Sequence, residues 1–312
     1  MPKKRSRRRV QKFKHTEPVE GDLRSDDPKT LLRTHHKLQS AVSNLQRKVT
    51  EGNVVLDLSN CEEMDPGGLL LTMYAFAQVW RNDKLSLWFR SSGAVQAYLI
   101  ENLDHFWESR PERLNEPSDE FLLRQIKNRA EMVQDINQYG DGLRSASYSS
   151  DREVAIWETQ VGELTTNGFQ HGAALDAEKE KGDPVMNMVA GKAYEKRSRV
   201  EMGVLDFGAG IPRVIERVAP DKICKGGDGR LIEYALEKGI TSRSVSENQG
   251  AGLHGIVNAV NENQGRLLLL SGNGLVYVRN DCISSQRLEG TVEEPTLAGT
   301  LAIIILNLQG RG

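Results

Sequence analysis

A chain of 312 residues, 38% hydrophobic and 27% charged, is long enough for two domains of roughly 150 residues each and is neither a disordered polymer nor a membrane protein by composition. No apolar run approaches the ~18 residues that a bilayer span needs, and the stretches 69–80 and 301–306 stop at Arg81 and Asn307. The net charge of −2 hides a segregation, because residues 1–14 carry eight Lys and Arg and no acid, which leaves −10 for the rest.

Such a block repels itself and cannot bury apolar area, so residues 1–28 are expected as a basic disordered tail. It reads as an arm that contacts nucleic-acid phosphates by counterion release, as an import-like signal, or as a solubilising terminus. Cys61, Cys224 and Cys282 form no CxxC pair, so no disulfide framework or cysteine zinc site is expected. The N-terminus is charged where a secretory signal would be apolar. These features set the expectation of a cytoplasmic protein without membrane contact.

From residue 29, the spacing of Leu31, Leu32, Leu38, Val42, Leu45 and Val49 predicts an amphipathic helix over 29–49. Residues 53–59 read as a short buried strand, and Asp65-Pro66-Gly67-Gly68 as a turn that opens a helix over 69–81. A strand over 85–90 and a helix over 94–103 follow, and the stretch 108–120, rich in acids and proline, reads as an interdomain linker. A first domain is thus expected over 29–110, a linker over 111–120 and a second domain over 121–312. In the second domain, helices are expected over 121–137 and 151–172, then a charged loop and a strand over 199–207. Helices near 231–238 and 253–261 precede strands over 266–270, 275–279 and 300–306, with Ser271-Gly272-Asn273-Gly274 as a hairpin turn. The fold class is α/β.

Four motifs carry chemistry. On the helix over 151–172, Glu163, Asn167 and His171 stand at i, i+4 and i+8 and share a face. A carboxylate that can orient a water, one turn from an amide oxygen that can ligate a hard cation, suits an Mg-nucleotide site; alone, the stripe reads rather as a solvated helix face. Asp206-Phe-Gly-Ala-Gly210-Ile211 follows a strand, so its acid sits at a strand end with glycines that let a ligand approach the backbone. Gly250-Ala-Gly252-Leu253-His-Gly-Ile256 sets a second glycine loop at a helix start, where free N–H groups favour phosphate; alone, it is equally a cap and turn. Gly299-Thr300 opens the last apolar strand, where a hydroxyl can accompany an acid in binding an amino-purine.

In this order, residues 151–307 resemble the GHKL ATPase domain of gyrases, heat-shock chaperones, histidine kinases and mismatch-repair ATPases. Glu163 to Gly172 resembles the N-box, Asp206 to Ile211 the first glycine box, Gly250 to Ile256 the second, and Gly299-Thr300 the final threonine box. The resemblance implies a Bergerat-type α/β sandwich that binds ATP and magnesium. It implies that Glu163 orients the attacking water, Asn167 ligates magnesium and Asp206 accepts from the adenine amine. Gly208, Gly210 and Ile211 would pack the base, Gly250, Gly252 and Leu253 would wrap the phosphates, and Thr300 would assist at the base. Residues 212–249 would be the ATP lid, with Lys225, Arg230 and Arg243 as candidate phosphate contacts. His171 would line the phosphate side or pack beneath the lid, and His254 would narrow the phosphate loop. The N-box followed by His-Gly is closest to anti-sigma-factor serine kinases.

Residues 53–107 resemble the STAS fold of anti-sigma-factor antagonists, although Pro66, Gly67 and Gly68 follow Asp65 where phosphorylatable relatives carry serine. Ser59 or a separate partner is the remaining acceptor. Three outputs follow from the resemblance: regulatory ATP hydrolysis with lid closure controlling a partner, a serine/threonine protein kinase of anti-sigma-factor type, or a non-hydrolysing ATP sensor. Histidine-kinase activity fits poorly, since His35 and His36 precede the STAS-like unit and lack the following acid. The partners implied are ATP, a protein and a second copy of the chain, with nucleic acid for residues 1–14.

Overall fold

The computed structural model describes residues 15–19, 22–48, 52–80, 85–91, 122–126, 133–134, 136–137, 140–141, 151–172, 187–194, 199–222, 227–237, 252–287 and 297–307. It is mixed α/β, with two sheets. The smaller sheet is parallel, in the order β1-β2-β3, built from His15–Pro18, Gly52–Leu58 and Leu85–Ser91. Helices α1 (Pro28–Lys48) and α2 (Pro66–Trp80) accompany it and pack on each other.

The larger sheet has seven antiparallel strands in the order β4-β5-β6-β10-β7-β8-β9. They are β4 (Leu122–Ile126), β5 (Asn187–Tyr194), β6 (Arg199–Asp206), β7 (Arg266–Gly272), β8 (Gly274–Arg279), β9 (Cys282–Arg287) and β10 (Leu297–Asn307). Among the described residues this part carries the helices α3 (Asp151–Gly172), α4 (Ile211–Val218), α5 (Gly227–Ala235) and α6 (Gly252–Glu262).

Side-chain alternation along the central strands decides what covers each face of the large sheet. Val200, Met202 and Val204 of β6 with Ala302 and Ile304 of β10 join a core with Trp157 of α3 and Ile256 of α6. The alternate residues Leu205, Leu301, Ile303 and Ile305 join a second core with Leu70 and Met73 of α2. The large sheet is therefore buried on both sides, which is why β10 reads as a continuous apolar run. Gly203 makes the second contact close, since a Cβ there would meet Leu70 Cδ1 at 2.5 Å and Ile303 Cδ1 at 3.0 Å. The Tyr74 hydroxyl of α2 also accepts the N–H of Ala298 at 2.7 Å, and Arg266 donates to the carbonyl of Asp26 at 3.3 Å.

At the start of α2 the expected turn forms with its acid as a cap. Asp65 accepts from the Gly68 N–H at 2.8 Å and from the N–H and hydroxyl of Ser25, as an N-terminal cap should. Burial pushes its carboxyl up to about 6. Glu201, buried on the same side of the large sheet and paired with Arg199, is pushed up to about 7, first by burial and then by the charge of Asp65.

Several expectations change. The tail expected over 1–28 gives way to structure from His15, because β1 pairs with β2 and Val19 and Leu23 are buried; residues 1–14, with every charge of the basic block, lie outside the described residues. The helix expected over 121–137 begins as strand β4, whose pairing with β5 overrides a helix-like apolar spacing too short to discriminate. The loop expected between 172 and 199 contains β5, and β9 was not anticipated. The turn before β9, Asn280-Asp281, has φ of 50° and 59°, the left-handed pair of a type I′ hairpin without the usual glycine. The helix expected over 94–103 and the linker over 111–120 lie outside the described residues.

Leu70→Ala should lower stability by about 2–5 kcal/mol through the cavity left beneath Gly203, and Tyr74→Phe by about 1 kcal/mol. Urea unfolding reads both, and an unmoved midpoint for Leu70→Ala would mean that α2 is not seated on the large sheet.

Candidate functional site

On the strands β5, β6, β10 and β7, the face of the large sheet that carries α3 and α6 is apolar until its last row. Leu269, Ala302, Val204 and Val189 lie side by side across β7, β10, β6 and β5, and two residues further along come Ser271, Thr300, Asp206 and Asn187 in the same register. Four polar residues on four adjacent strands thus form one line at the sheet end. Sequence motifs single out Asp206 and Thr300; Ser271 and Asn187 escape them, one as part of a hairpin turn and the other inside an expected loop. Only strand register could have revealed them.

Hydrogen bonds tie three of the four together. Asp206 accepts from the N–H of Gly208 at 2.9 Å and from Thr300. Ser271 Oγ donates to the carbonyl of Gly299 at 2.7 Å, lies 3.1 Å from the Thr300 hydroxyl and accepts the N–H of Ile211 at 2.9 Å. Ser271 therefore joins the first glycine box to the threonine box. The two glycines at this junction need their backbone freedom: Gly210 has φ 81° and Gly299 φ 113°. A Cβ on Gly210 would stand 2.8 Å from Ser271 Oγ, and one on Gly299 would collide with the carbonyl of Asp206. On the opposite side, Phe207 stacks on Tyr74 of α2 at 5.8 Å between ring centroids, holding the loop from beneath.

Helix α3 rests its apolar stripe of Val154, Trp157, Val161 and Leu164 on the sheet. Its Gly168 meets the polar row, since a Cβ there would collide with Asn187 Oδ1 and lie 3.0 Å from Asp206 Cβ. Glu163 and Asn167 are half-buried and face the start of α6. A Cβ on Gly252 would lie 3.1 Å from Glu163 Oε2 and 3.5 Å from Asn167 Nδ2. The expected N-box and second glycine box are thus brought together, with the free N–H groups of the α6 start beside a carboxylate and an amide. Leu253 packs between the large core and a smaller one with Ile215 and Leu231, as does Ile211. Among the described residues no group of three His, Cys, Asp or Glu side chains could hold a metal ion.

Two expectations for this region change, those for the lid and for His254. The lid expected over 212–249 is packed structure over 212–222 and 227–237: α4 and α5 bury Val214, Ile215, Leu231 and Ile232, and Asp228 accepts the N–H of Asn273 at 2.6 Å. Arg230 is exposed and bonded to Glu233 of its own helix. His254 turns its Nδ1 to the carbonyl of Leu236 at 3.2 Å and fastens α6 to the end of α5 rather than narrowing a loop. Lys225, Arg243 and Gly250, together with the side chain of His171, lie outside the described residues.

Asp206 keeps part of its surface open while its carboxyl is enclosed by protein. Burial raises its pKa to about 6, against the lowering effect of its bonds from Gly208 and Thr300. A raised carboxyl favours the folded state when protonated, so its penalty is absent below the unfolded value near 4 and grows as pH rises to about 6, reaching on the order of 3 kcal/mol. Asp206→Asn should therefore flatten the fall in stability between pH 4 and pH 7. Thermal melts across that range would read it, and identical slopes for the two proteins would contradict the assignment.

The chain matches no protein-family model, and no curated protein matches its sequence.

Proposed function

We propose that the chain binds Mg-ATP at the end of the large sheet and hydrolyses it. The observation that carries this reading is the line Ser271, Thr300, Asp206 and Asn187, set against Gly168 of α3 and adjoining the cluster of Glu163, Asn167 and Gly252. A carboxylate enclosed in an otherwise apolar face is suited to accept from the exocyclic amine of a flat ring, and the open N–H groups at a helix start suit phosphate oxygens. The order of the antiparallel strands, with α3 and α6 on one face, supports a Bergerat-type sandwich over 121–312. The parallel β1-β2-β3 sheet with α1 and α2 supports a STAS-like unit before it.

In this reading Asp206, bonded by Thr300 and Gly208, receives the adenine amine, while Gly208 and Gly210 keep the loop beside it low. Gly252 and Leu253 present backbone N–H groups to the phosphates. Glu163 faces the same place and takes a proton from the attacking water. Asn167 would hold magnesium through its amide oxygen, and the metal would neutralise charge on the phosphates. A kinase output gains no support at Asp65, whose carboxyl caps α2 and whose following residues are Pro66 and two glycines. His35 is buried in α1, which argues against a phosphohistidine there.

Glu163→Gln should leave ATP binding within about twofold of the unaltered chain and slow phosphate release by about 10²–10⁴-fold. Asp206→Asn should weaken ATP binding by about 10–100-fold. Calorimetric titration with Mg-ATP and a phosphate-release assay check both, and release that does not depend on Glu163 would remove hydrolysis from the reading.

A further inference from the structure

One member of the polar row is left unsatisfied. Asn187 is fully buried, and neither its Oδ1 nor its Nδ2 has a hydrogen-bond partner, whereas Ser271, Thr300 and Asp206 are bonded to one another or to backbone. Native interiors seldom leave an amide so, because its lost hydration is not replaced. Its place in the fold says what could replace it. Asn187 opens β5 directly opposite Asp206 in the ladder, so both side chains stand on the α3 face. There α3 has glycine at 168, and the Asn187 side chain occupies the space a Cβ would need, with Asp206 Cβ 3.0 Å from the same point. The amide and the carboxylate are thus neighbours with no side chain between them.

The pair has a definite complement. A carboxylate accepts, while an amide can turn to donate or accept. A flat ring with an exocyclic amine next to a bare ring nitrogen satisfies both: the amine donates to Asp206 and the ring nitrogen accepts from the Asn187 NH2. Adenine has this pattern on both sides of its amine, at N1 and at N7. In the same pose guanine sets a carbonyl oxygen where adenine has the amine, and that oxygen would face the Asp206 carboxylate; guanine's own amine lies beside N3 on the edge next to the sugar. We propose that Asn187, together with Asp206, reads the edge of the base and makes the site prefer adenine over guanine nucleotides. This rests on the ATP reading above and adds to it the residue that selects the base.

Calorimetry of the full chain with magnesium and ATP, 1-deaza-ATP, 7-deaza-ATP or GTP tests it, on the unaltered protein and on Asn187→Ala. In the unaltered chain one deaza analogue should bind about tenfold more weakly than ATP, and GTP more weakly still. Asn187→Ala should bind ATP about tenfold more weakly and treat that analogue and ATP alike, a loss of discrimination that a merely structural role would not produce. An unaltered chain that binds ATP and both analogues within about twofold of one another overturns the proposal even if the variant does not fold. So does an Asn187→Ala protein that keeps its discrimination. Either result leaves the ATP reading standing, whereas an unaltered chain that binds no ATP removes that reading and the proposal with it.

Discussion

The structure depends on the burial of β6 and β10 from both sides. A strand covered on one face can alternate apolar and polar residues; β10 does not, and Leu301 to Leu306 are buried in unbroken succession, while β6 carries one buried acid, Glu201. One face is supplied by α3 and α6 and the other by α2, which comes from a segment more than a hundred residues earlier. With each buried Leu or Ile contributing roughly 1.5–3 kcal/mol, the middle of the large sheet is the energetic centre of the molecule. Whatever else the sheet carries must stand at its ends.

That constraint explains where the polar row lies. Within the apolar face a serine, threonine, aspartate and asparagine in line would be expensive, and only at the last row do loops and a helix glycine supply donors and space. Ser271 bonds three backbone or side-chain groups from two separate loops, so the geometry around Asp206 is held by the scaffold rather than by a ligand. The buried acids fall in two places: Asp206 on the α3 side, and Asp65 and Glu201 on the α2 side. All three are raised by loss of water, so each makes the folded state less favourable as pH rises from near 4 to its own value. The fold tolerates this at Asp65, where capping α2 brings compensating bonds.

Much of the architecture was legible in the residues. The long helix over 151–172 announced itself by period, and β6, β7, β8 and β10 by apolar runs between turns. Asp65-Pro66-Gly67-Gly68 announced the start of α2. The failures have local causes. Leu122 to Ile126 is too short for its spacing to separate strand from helix. Strand β5 mixes Gly191, Lys192 and Ala193 among its apolar residues, and β9 is an exposed edge strand whose polar residues resemble a loop. Of the site, Glu163, Asn167, Asp206, Gly252 and Thr300 could be named from spacing, because each belongs to a motif contiguous in sequence. Asn187 and Ser271 belong to it only through pairing between strands, and no local pattern contains that information. The lid was over-extended for the same reason: glycines at 226, 227 and 229 look like hinges, yet Gly229 is buried against β9 and helps α5 to pack.

The seating of α2 on β10 also bears on how the chain is made. Helices α1 and α2 are made with Leu70 and Met73 already in place, but the strands that cover α2 come later: β5 and β6 more than a hundred residues behind, and β10 more than two hundred. At roughly 5–20 residues per second, that apolar surface lacks its full cover for some ten seconds or longer during synthesis. The parallel β1-β2-β3 sheet can hold the two helices together over that interval, but it cannot shield the side of α2 that later meets the large sheet. The same contact that anchors the finished molecule is therefore completed last, and a truncation before residue 297 would leave α2 without the part of its cover that β10 supplies.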